Sequence, residues 1–328
     1  MAQEGTLVLA GEAAEGRRRA RGPWELALRA LLRRKLAVIS VVYIAVFYFC
    51  GIFAPLVAPY SHRAQNLDIA LQSPSLEHPF GTDRLGRDLL SRTIYAARTT
   101  VVITVLSAFT GGLIIGPALG LLAGYRRGLF DSAVNRFGEV VAGLPDLMIL
   151  IMLSATISPR LNAWVANHYD LPLVGDLLRE GFASIFVLFF VLTLIGWVGS
   201  MRFIRAQTLQ LREAEYVLAA RSVGATTGRI IRSHILPNLM HLLVLGTAAS
   251  FGAVALSEIG LSFLGLGVRP PASSFGEMIL NGASIRTLEA HPHIFFFPSI
   301  IAVCLFLSFN LLGDALNDVL NPRTRDVT

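Results

Sequence analysis

The chain has 328 residues, of which 54% are hydrophobic and only 15% are charged, and its mean hydropathy is +0.60. This composition is more apolar than that of soluble domains and indicates a membrane protein. The net charge of +6 could suit nucleic acid, but the arginines lie beside apolar runs and do not alternate with exposed aromatics, which argues against it. Both cysteines, Cys50 and Cys304, lie inside apolar runs, so we expect no disulfide framework.

The N-terminal region divides into two short parts. Residues 1–22 have little apolar periodicity and are predicted to form a flexible tail. Residues 23–35, PWELALRALLRRK, mix apolar and basic residues at helical spacing, which predicts an amphipathic helix on the inner membrane surface. The first apolar run begins at Leu36 and is too long and too late for a secretory signal, so we expect a retained span.

Six apolar runs are long enough to cross a hydrocarbon layer of about 30 Å as helices. We therefore predict an all-α polytopic protein whose membrane domain covers residues 36–328. The third run is the most polar, because it contains Glu139 and Asp146. The predicted spans are 36–58, 99–123, 137–157, 182–201, 236–258 and 294–312.

The distribution of basic residues predicts the orientation. With six spans, 19 of the 28 Lys and Arg residues fall on the side of the N-terminus. Because basic residues accumulate in cytoplasmic segments, both termini are predicted to lie in the cytoplasm.

The largest predicted cytoplasmic loop covers residues 206–235, between the fourth and fifth spans. Residues 206–223 contain strong helix formers and neither Gly nor Pro. Gly224 can then adopt the left-handed conformation that ends a helix, and a second helix can begin within residues 225–227. Pro237 suits the first turn of the fifth span. The loop is therefore predicted to be a helix, a glycine turn and a second helix.

The residues before the glycine suggest a docking element. Ala219 and Ala220 give a face without bulk that would let a partner approach closely, and Arg212, Glu215 and Arg221 supply charges that could fix its register. An inert loop with a helix cap would need none of these features.

The run EYVLAARSVGA followed by HILPN resembles the EAA loop of ABC importer permeases, whose short coupling helix docks on an ATPase subunit. The family pattern is an acidic residue, two alanines, a glycine and a proline before the next span. Glu215 stands four residues before Ala219 instead of next to it, as is usual in the peptide branch. The resemblance assigns the coupling site to Glu215, Tyr216, Ala219, Ala220, Arg221, Gly224 and Pro237.

Three further stretches resemble the C-type permease subunits of dipeptide, oligopeptide and nickel importers. They are HPFGTDRLGRDLLSR at 78–92, LSFLGLGVRPP at 261–271 and GDALNDVLNPR at 313–323. Taken alone, the first reads as a turn with a helix cap at Thr82 or Asp83. Four matches in the family's order cover nearly the whole chain after residue 30.

The resemblance implies the MetI-like permease fold, in a bacterial or archaeal cytoplasmic membrane. It also implies a homologous second permease subunit, two ATPase subunits and an extracytoplasmic solute-binding protein as partners. Short peptides are the expected cargo, with nickel chelates, glutathione or another small solute as alternatives. A passive channel or a membrane scaffold would also have six spans, but neither needs a glycine-hinged cytoplasmic helix pair.

Enzyme motifs are absent from the sequence. Lys35 is the single lysine, and no GxxxxGK[ST] phosphate loop surrounds it, so ATP and Mg²⁺ are expected on the partner ATPase subunits. The chain contains neither GxSxG nor HExxH, and His291 and His293 have no obvious third metal ligand. We therefore expect a transport subunit that carries no catalytic site, metal or cofactor.

Charged residues within spans are the candidates for the translocation pathway. Glu139 and Asp146 are seven residues apart and would share one face of the third helix, which Pro145 could kink. Either they line the pathway or they pack against an arginine, the backbone or a neighbouring subunit. The sequence leaves both readings open.

Overall fold

The structure, a computed structural model, describes residues 34–167 and 181–320. The predicted tail at 1–22 and nearly all of the amphipathic segment at 23–35 lie outside these ranges. The described residues form helices joined by irregular segments, with one isolated bridge between Thr82 and Asp88 and no β-strand. The helices of six or more residues are α1 (Lys35–Ile52), α2 (Leu89–Arg126), α3 (Gly128–Gly143), α4 (Asp146–Ala166), α5 (Phe182–Leu211), α6 (Glu215–Ser222), α7 (Thr227–Phe263), α8 (Phe275–Gly282), α9 (Ile285–Ala290) and α10 (His293–Leu320).

Six of these helices are long and apolar enough to cross a membrane, which confirms the predicted number of spans. They are α1, α2, α4, α5, α7 and α10. Helix α2 begins at Leu89, ten residues before the predicted start, and α5 continues to Leu211, ten residues past the predicted end. Polar residues at the ends of both helices hid these extensions from an analysis of hydropathy.

The predicted third span, 137–157, is wrong as a single helix. Helix α3 ends at Gly143, and Leu144 has an extended backbone (φ −88°, ψ 132°) before α4 begins. The residue before a proline avoids the helical region, so Pro145 breaks the helix here instead of bending it. Glu139 and Asp146 therefore belong to different helices, and the expectation that they share one helical face is wrong.

Helices α2 and α5 pack unusually closely. Gly116, Gly120 and Gly124 recur every four residues along α2 and face α5. A Cβ atom on Gly120 would stand 2.6 Å from the Met201 carbonyl oxygen, closer than atoms can approach. Small residues at this spacing allow helix backbones to touch in membranes. The stripe joins the C-terminal half of the second span to the fourth span.

On the predicted outer side, the segment between α1 and α2 folds compactly over the ends of the helices. Asp83 accepts hydrogen bonds from the side chains of Arg87 (2.7 Å) and Arg92 (2.6 Å), and Arg92 also bonds to Glu277 on α8 (2.6 Å). Asp88 caps α2, because its carboxylate accepts the Ser91 N–H at 2.7 Å. The expectation that Thr82 or Asp83 caps this helix is therefore wrong.

Glu258 is fully buried near the C-terminal end of α7, which is predicted to be its outer end. Its carboxyl oxygens accept hydrogen bonds from Thr100 on α2 (2.7 Å), Ser262 (3.2 Å) and Ser274 (3.0 Å). Ser262 and Ser274 each accept a backbone N–H as well, from Val268 and Gly276, so each hydroxyl has its proton free for Glu258. One carboxyl group thus joins the second span, the fifth span and the start of α8.

We expect Glu258→Ala to lower the stability of the assembled protein by about 2–3 kcal/mol, because three buried hydroxyls lose their acceptor. Glu258→Gln should retain most of that stability, since an amide oxygen can still accept from both serines. Thermal unfolding of the two purified variants checks this. If Glu258→Ala and Glu258→Gln unfold at the same temperature, the hydrogen bonds to Glu258 do not stabilise the fold as described.

Candidate functional site

The predicted coupling loop contains two breaks. Helix α5 ends at Leu211, and α6 begins at Glu215 after a turn in which the Ala214 N–H bonds to the Leu211 carbonyl. The prediction of one helix over 206–223 is therefore wrong. Because Ala214 is extended (φ −69°, ψ 143°), the chain changes direction before α6, so that α6 is a separate short helix.

Gly224 ends α6 as predicted, with φ of +83°. The Ala225 N–H bonds to the Ala220 carbonyl at 3.1 Å, and the Gly224 N–H bonds to the Arg221 carbonyl at 3.0 Å. This pair of hydrogen bonds is the Schellman motif, which requires a left-handed residue at the glycine position. The turn is thus fixed by backbone geometry, which a side chain at this position would strain.

Pro237 lies further inside a helix than the sequence indicates. The fifth span begins at Thr227, ten residues before Pro237, and passes through a π-helical turn at Ile231–Ile235. In a regular α-helix the proline ring would clash with the carbonyl four residues earlier, and the wider π turn relieves this clash. Pro237 does lie in the first turn of the α-helical segment Leu236–Phe263, as predicted, but a π-helical turn and a short helical turn precede that segment without a break.

The inner face of α6 packs on the ends of three spans. Val217 is completely buried in a cluster with Ile204 of α5 and with Ile230 and Ile235 of α7. Ala220, predicted as part of the docking face, is half-buried against the same cluster. Leu121 of α2 closes the cluster from the third side. Helix α6 therefore cannot be displaced without disturbing these spans.

The opposite face of α6 is exposed. It carries the predicted residues Glu215, Tyr216 and Ala219. Arg221 is exposed as well, but it lies one turn after Val217, on the side of α6 that contacts Tyr125. The exposed face also carries apolar side chains that the sequence analysis did not select, since it concentrated on alanines and charges. These are Leu218, 43% exposed, and Val223, 84% exposed.

Tyr125, at the predicted cytoplasmic end of α2, joins this helix pair to the second span. The Arg212 guanidinium donates to the Tyr125 carbonyl at 2.7 Å, and its carbon lies 5.7 Å from the ring centroid. The Arg221 guanidinium lies 5.6 Å from the same centroid and 3.4 Å from the hydroxyl. Arg212 therefore binds within the chain instead of serving a partner.

A second polar contact fixes α3 against α5. Both oxygens of Asp131 bind the Arg205 guanidinium, at 2.5 and 2.6 Å. Bidentate pairs of this kind fix geometry as well as charge. The hydrogen bonds from Arg205 hold the pKa of the Asp131 carboxyl below its usual range.

The two candidate pathway residues are not part of this site. The Glu139 carboxylate is 56% exposed and lies 3.3 Å from the exposed Arg136 guanidinium. Asp146 begins α4, and its side chain lies outside the described part of the structure. Residues 34–167 and 181–320 contain no group of three potential metal ligands.

A small cavity of about 230 Å³ lies between α2, α5 and α7. A Cβ atom added to three of its glycines would meet nothing within 4 Å, so their backbones line open space. Its lining includes Gly196, Gly199, Gly246, Ser200, Thr247 and Ser250.

Gly224→Val should leave membrane insertion intact but reduce transport-coupled ATP hydrolysis by the assembled transporter, because a β-branched residue at φ +83° costs more than about 1–2 kcal/mol. Gly228→Val is the matched control: its Cβ also meets open space, but its backbone is helical. ATPase activity and uptake of both variants in vesicles provide the measurement. Wild-type uptake by Gly224→Val would contradict a role for this turn.

Comparisons with known proteins agree with this architecture. Residues 116–326 match the family described as binding-protein-dependent transport system inner membrane component, and residues 22–74 match the N-terminal TM domain of oligopeptide transport permease C. The dipeptide transport system permease protein DppC of Bacillus subtilis is 36% identical over 299 residues, which cover 91% of this chain and 85% of that protein. The oligopeptide transport system permease protein OppC of the same organism is 32% identical over 316 residues, which cover 96% of this chain and 95% of that protein.

A chain of the MetNI methionine ABC transporter, solved in inward facing conformations, has a similar fold. The TM-score is 0.52 at 17% identity, and the match covers 71% of this chain and 98% of that chain. At this identity the likeness concerns the fold alone, which is the predicted MetI-like fold. With the family match over most of its length, the chain belongs to the inner membrane components of binding-protein-dependent transport systems.

Proposed function

We propose that this chain is the C-type permease subunit of an ATP-driven importer of short peptides. The observation that carries the coupling part of this proposal is the two-sided α6, which buries Val217 among three spans and exposes Leu218 and Val223. The names of the relatives support the cargo. The proposed coupling site consists of Glu215, Tyr216, Ala219, Arg221 and Gly224 with Leu218 and Val223, while Ala220 and Pro237 support it from within the chain.

The proposed assembly contains this chain, a homologous second permease, two ATPase subunits and an extracytoplasmic solute-binding protein. ATP and Mg²⁺ bind to the ATPase subunits, and this chain performs no catalysis. Both termini and residues 206–235 lie in the cytoplasm of a bacterial or archaeal cell. The excess of basic residues on that side supports the orientation.

Movement of the ATPases would reach the membrane through α6. Because Val217 packs against Ile204, Ile230 and Ile235, a displacement of α6 is passed to α5 and α7. Tyr125 passes it to α2 through Arg212 and Arg221. The spans around the small cavity would then tilt together, which alternates the opening of the cavity between the two sides.

Two surfaces are candidates for the pathway itself. The small cavity presents hydroxyls and open glycine backbones, which suit the polar backbone of a peptide. Glu139 remains a second candidate, because it is exposed and could attract the positive end of a peptide. Asp146, at the start of the next helix, also remains a candidate pathway residue.

Glu139→Gln and Asp146→Asn should each reduce peptide uptake several-fold if the carboxylates line the pathway, because a cationic group would lose its attraction. Arg136→Gln serves as the control for Glu139, since it removes the neighbouring exposed charge. Uptake in vesicles that contain the whole transporter is the measurement. Unchanged kinetics would assign both carboxylates to packing or surface positions.

The cargo is tested with the purified transporter and its solute-binding protein. Loading that protein with di- to pentapeptides should stimulate ATP hydrolysis, whereas nickel chelates, glutathione or other small solutes should not. If one of these other solutes stimulates ATP hydrolysis instead, the chain still belongs to an importer, but the proposed peptide cargo is wrong. Passage of solute through the purified chain without any ATPase would contradict an ATP-driven importer and favour a passive channel. If the chain neither transports solute nor co-purifies with an ATPase, a membrane scaffold is favoured.

A further inference from the structure

A second cavity, larger than the first, opens beside α3. It has a volume of about 440 Å³ and lies between α2, α3 and α5. We call it the apolar groove. Its walls are formed by large side chains, with a single hydroxyl from Thr193, and include Ile115, Leu119, Phe130, Phe137, Phe190 and Trp197.

The size of these side chains argues against another helix as the occupant. Helices that pack in membranes meet through small residues, as α2 and α5 do at Gly116, Gly120 and Gly124. The apolar groove instead presents aromatic rings around a gap, which no close helix backbone could fill. A flexible hydrocarbon chain fits such a surface better.

Helix α3, which forms one wall, has the character of an interfacial helix. It carries Asp131, Asn135, Arg136 and Glu139 on one side, and the exposed apolar Leu129 and Val140 lie beside the groove. Amphipathic helices of this kind lie in the plane of the membrane surface with the apolar side among acyl chains. The apolar groove therefore opens at the depth where lipid tails begin.

The groove also has a charged end. Leu119 follows Ile115 by four residues, and Arg126 follows Leu119 by seven. The three residues therefore share one face of α2. Arg126 is exposed, and it has no ion pair or hydrogen bond to another side chain in the described ranges. The distance from Ile115 to Arg126 along the helix is about 16 Å, close to half of the ~30 Å hydrocarbon thickness. The guanidinium of Arg126 thus lies about the thickness of one leaflet away from the end of the apolar groove that is formed by Ile115.

We propose that the apolar groove binds one acyl chain of an anionic phospholipid from the predicted cytoplasmic leaflet, with its phosphate at Arg126. The charge of Arg126 complements the phosphate, and the large side chains enclose the tail. The lipid would fill the space between α3 and α5 beside the pair of Asp131 and Arg205. It would thus support the position of α3 without contacting the coupling site.

The test uses the complete transporter in phosphatidylcholine nanodiscs that contain phosphatidylglycerol with a photoactivatable diazirine on one acyl chain. Cross-links mapped by mass spectrometry should concentrate in the segments around Leu119, Phe137 and Trp197. Arg126→Gln should reduce this labelling about fivefold, the effect of one basic residue at a membrane surface. Leu119→Trp, which fills the groove, should reduce it without a change of charge.

Arg202→Gln is the matched control. Arg202 is an exposed arginine on the same side of the membrane, but it follows Trp197 by five residues and so faces away from the groove. Labelling should be unchanged in this variant. Equal labelling by a phosphatidylcholine probe, labelling spread over all spans, or cross-links from groove residues to the second permease would each overturn the proposal.

Discussion

The burial of Val217 is the interaction on which the rest of the structure depends. A short helix exposed to a partner is useful only if it is rigidly attached to what it must move. Val217 provides this attachment, because it is enclosed by Ile204, Ile230 and Ile235 at the ends of two long helices. The Schellman turn at Gly224 then fixes the exit direction of the chain, so that Leu218 and Val223 stay on the free face.

The remaining close contacts divide the membrane domain into a rigid part and a looser part. The glycine stripe of α2 unites the second and fourth spans, and Glu258 unites the second and fifth spans near their predicted outer ends. The third span is attached differently, since α3 and α4 are separated by the break at Leu144 and Pro145. A displacement that begins at α6 would therefore move three spans together and leave the broken helix to adjust.

Much of this fold could be predicted because its signals are local. Apolar runs predicted six spans, and a glycine after a helix-forming segment predicted the turn at Gly224. The sequence analysis failed where hydropathy carries no information. The break at Pro145 and the cap at Asp88 follow from local backbone geometry. The break at Arg212, whose side chain binds Tyr125, and the π-containing start of α7 have no signal in hydropathy either.

The functional residues show the same limit. The sequence predicted a docking face through Glu215, Ala219 and Arg221. Ala220 lies half-buried against the spans, and Val223, which is more exposed than the other large apolar side chain of this face, Leu218, was overlooked. Tyr125 contacts Arg212, 87 residues away in the sequence, and Glu258 contacts Thr100, 158 residues away. No pattern within one segment could indicate those pairs.

The central claim is that α6 carries the contact with a separate ATPase, and cross-linking from its free face tests this most directly. With Cys50 and Cys304 first replaced, a single cysteine at Val223 should cross-link to the ATPase subunit in the assembled transporter, and nucleotide should change the yield. A cysteine at the exposed Ile285, on the predicted outer side, should not reach it. Labelling of the cysteine at Val223 by a membrane-impermeant reagent applied to intact cells, without any cross-link to an ATPase, would contradict the account.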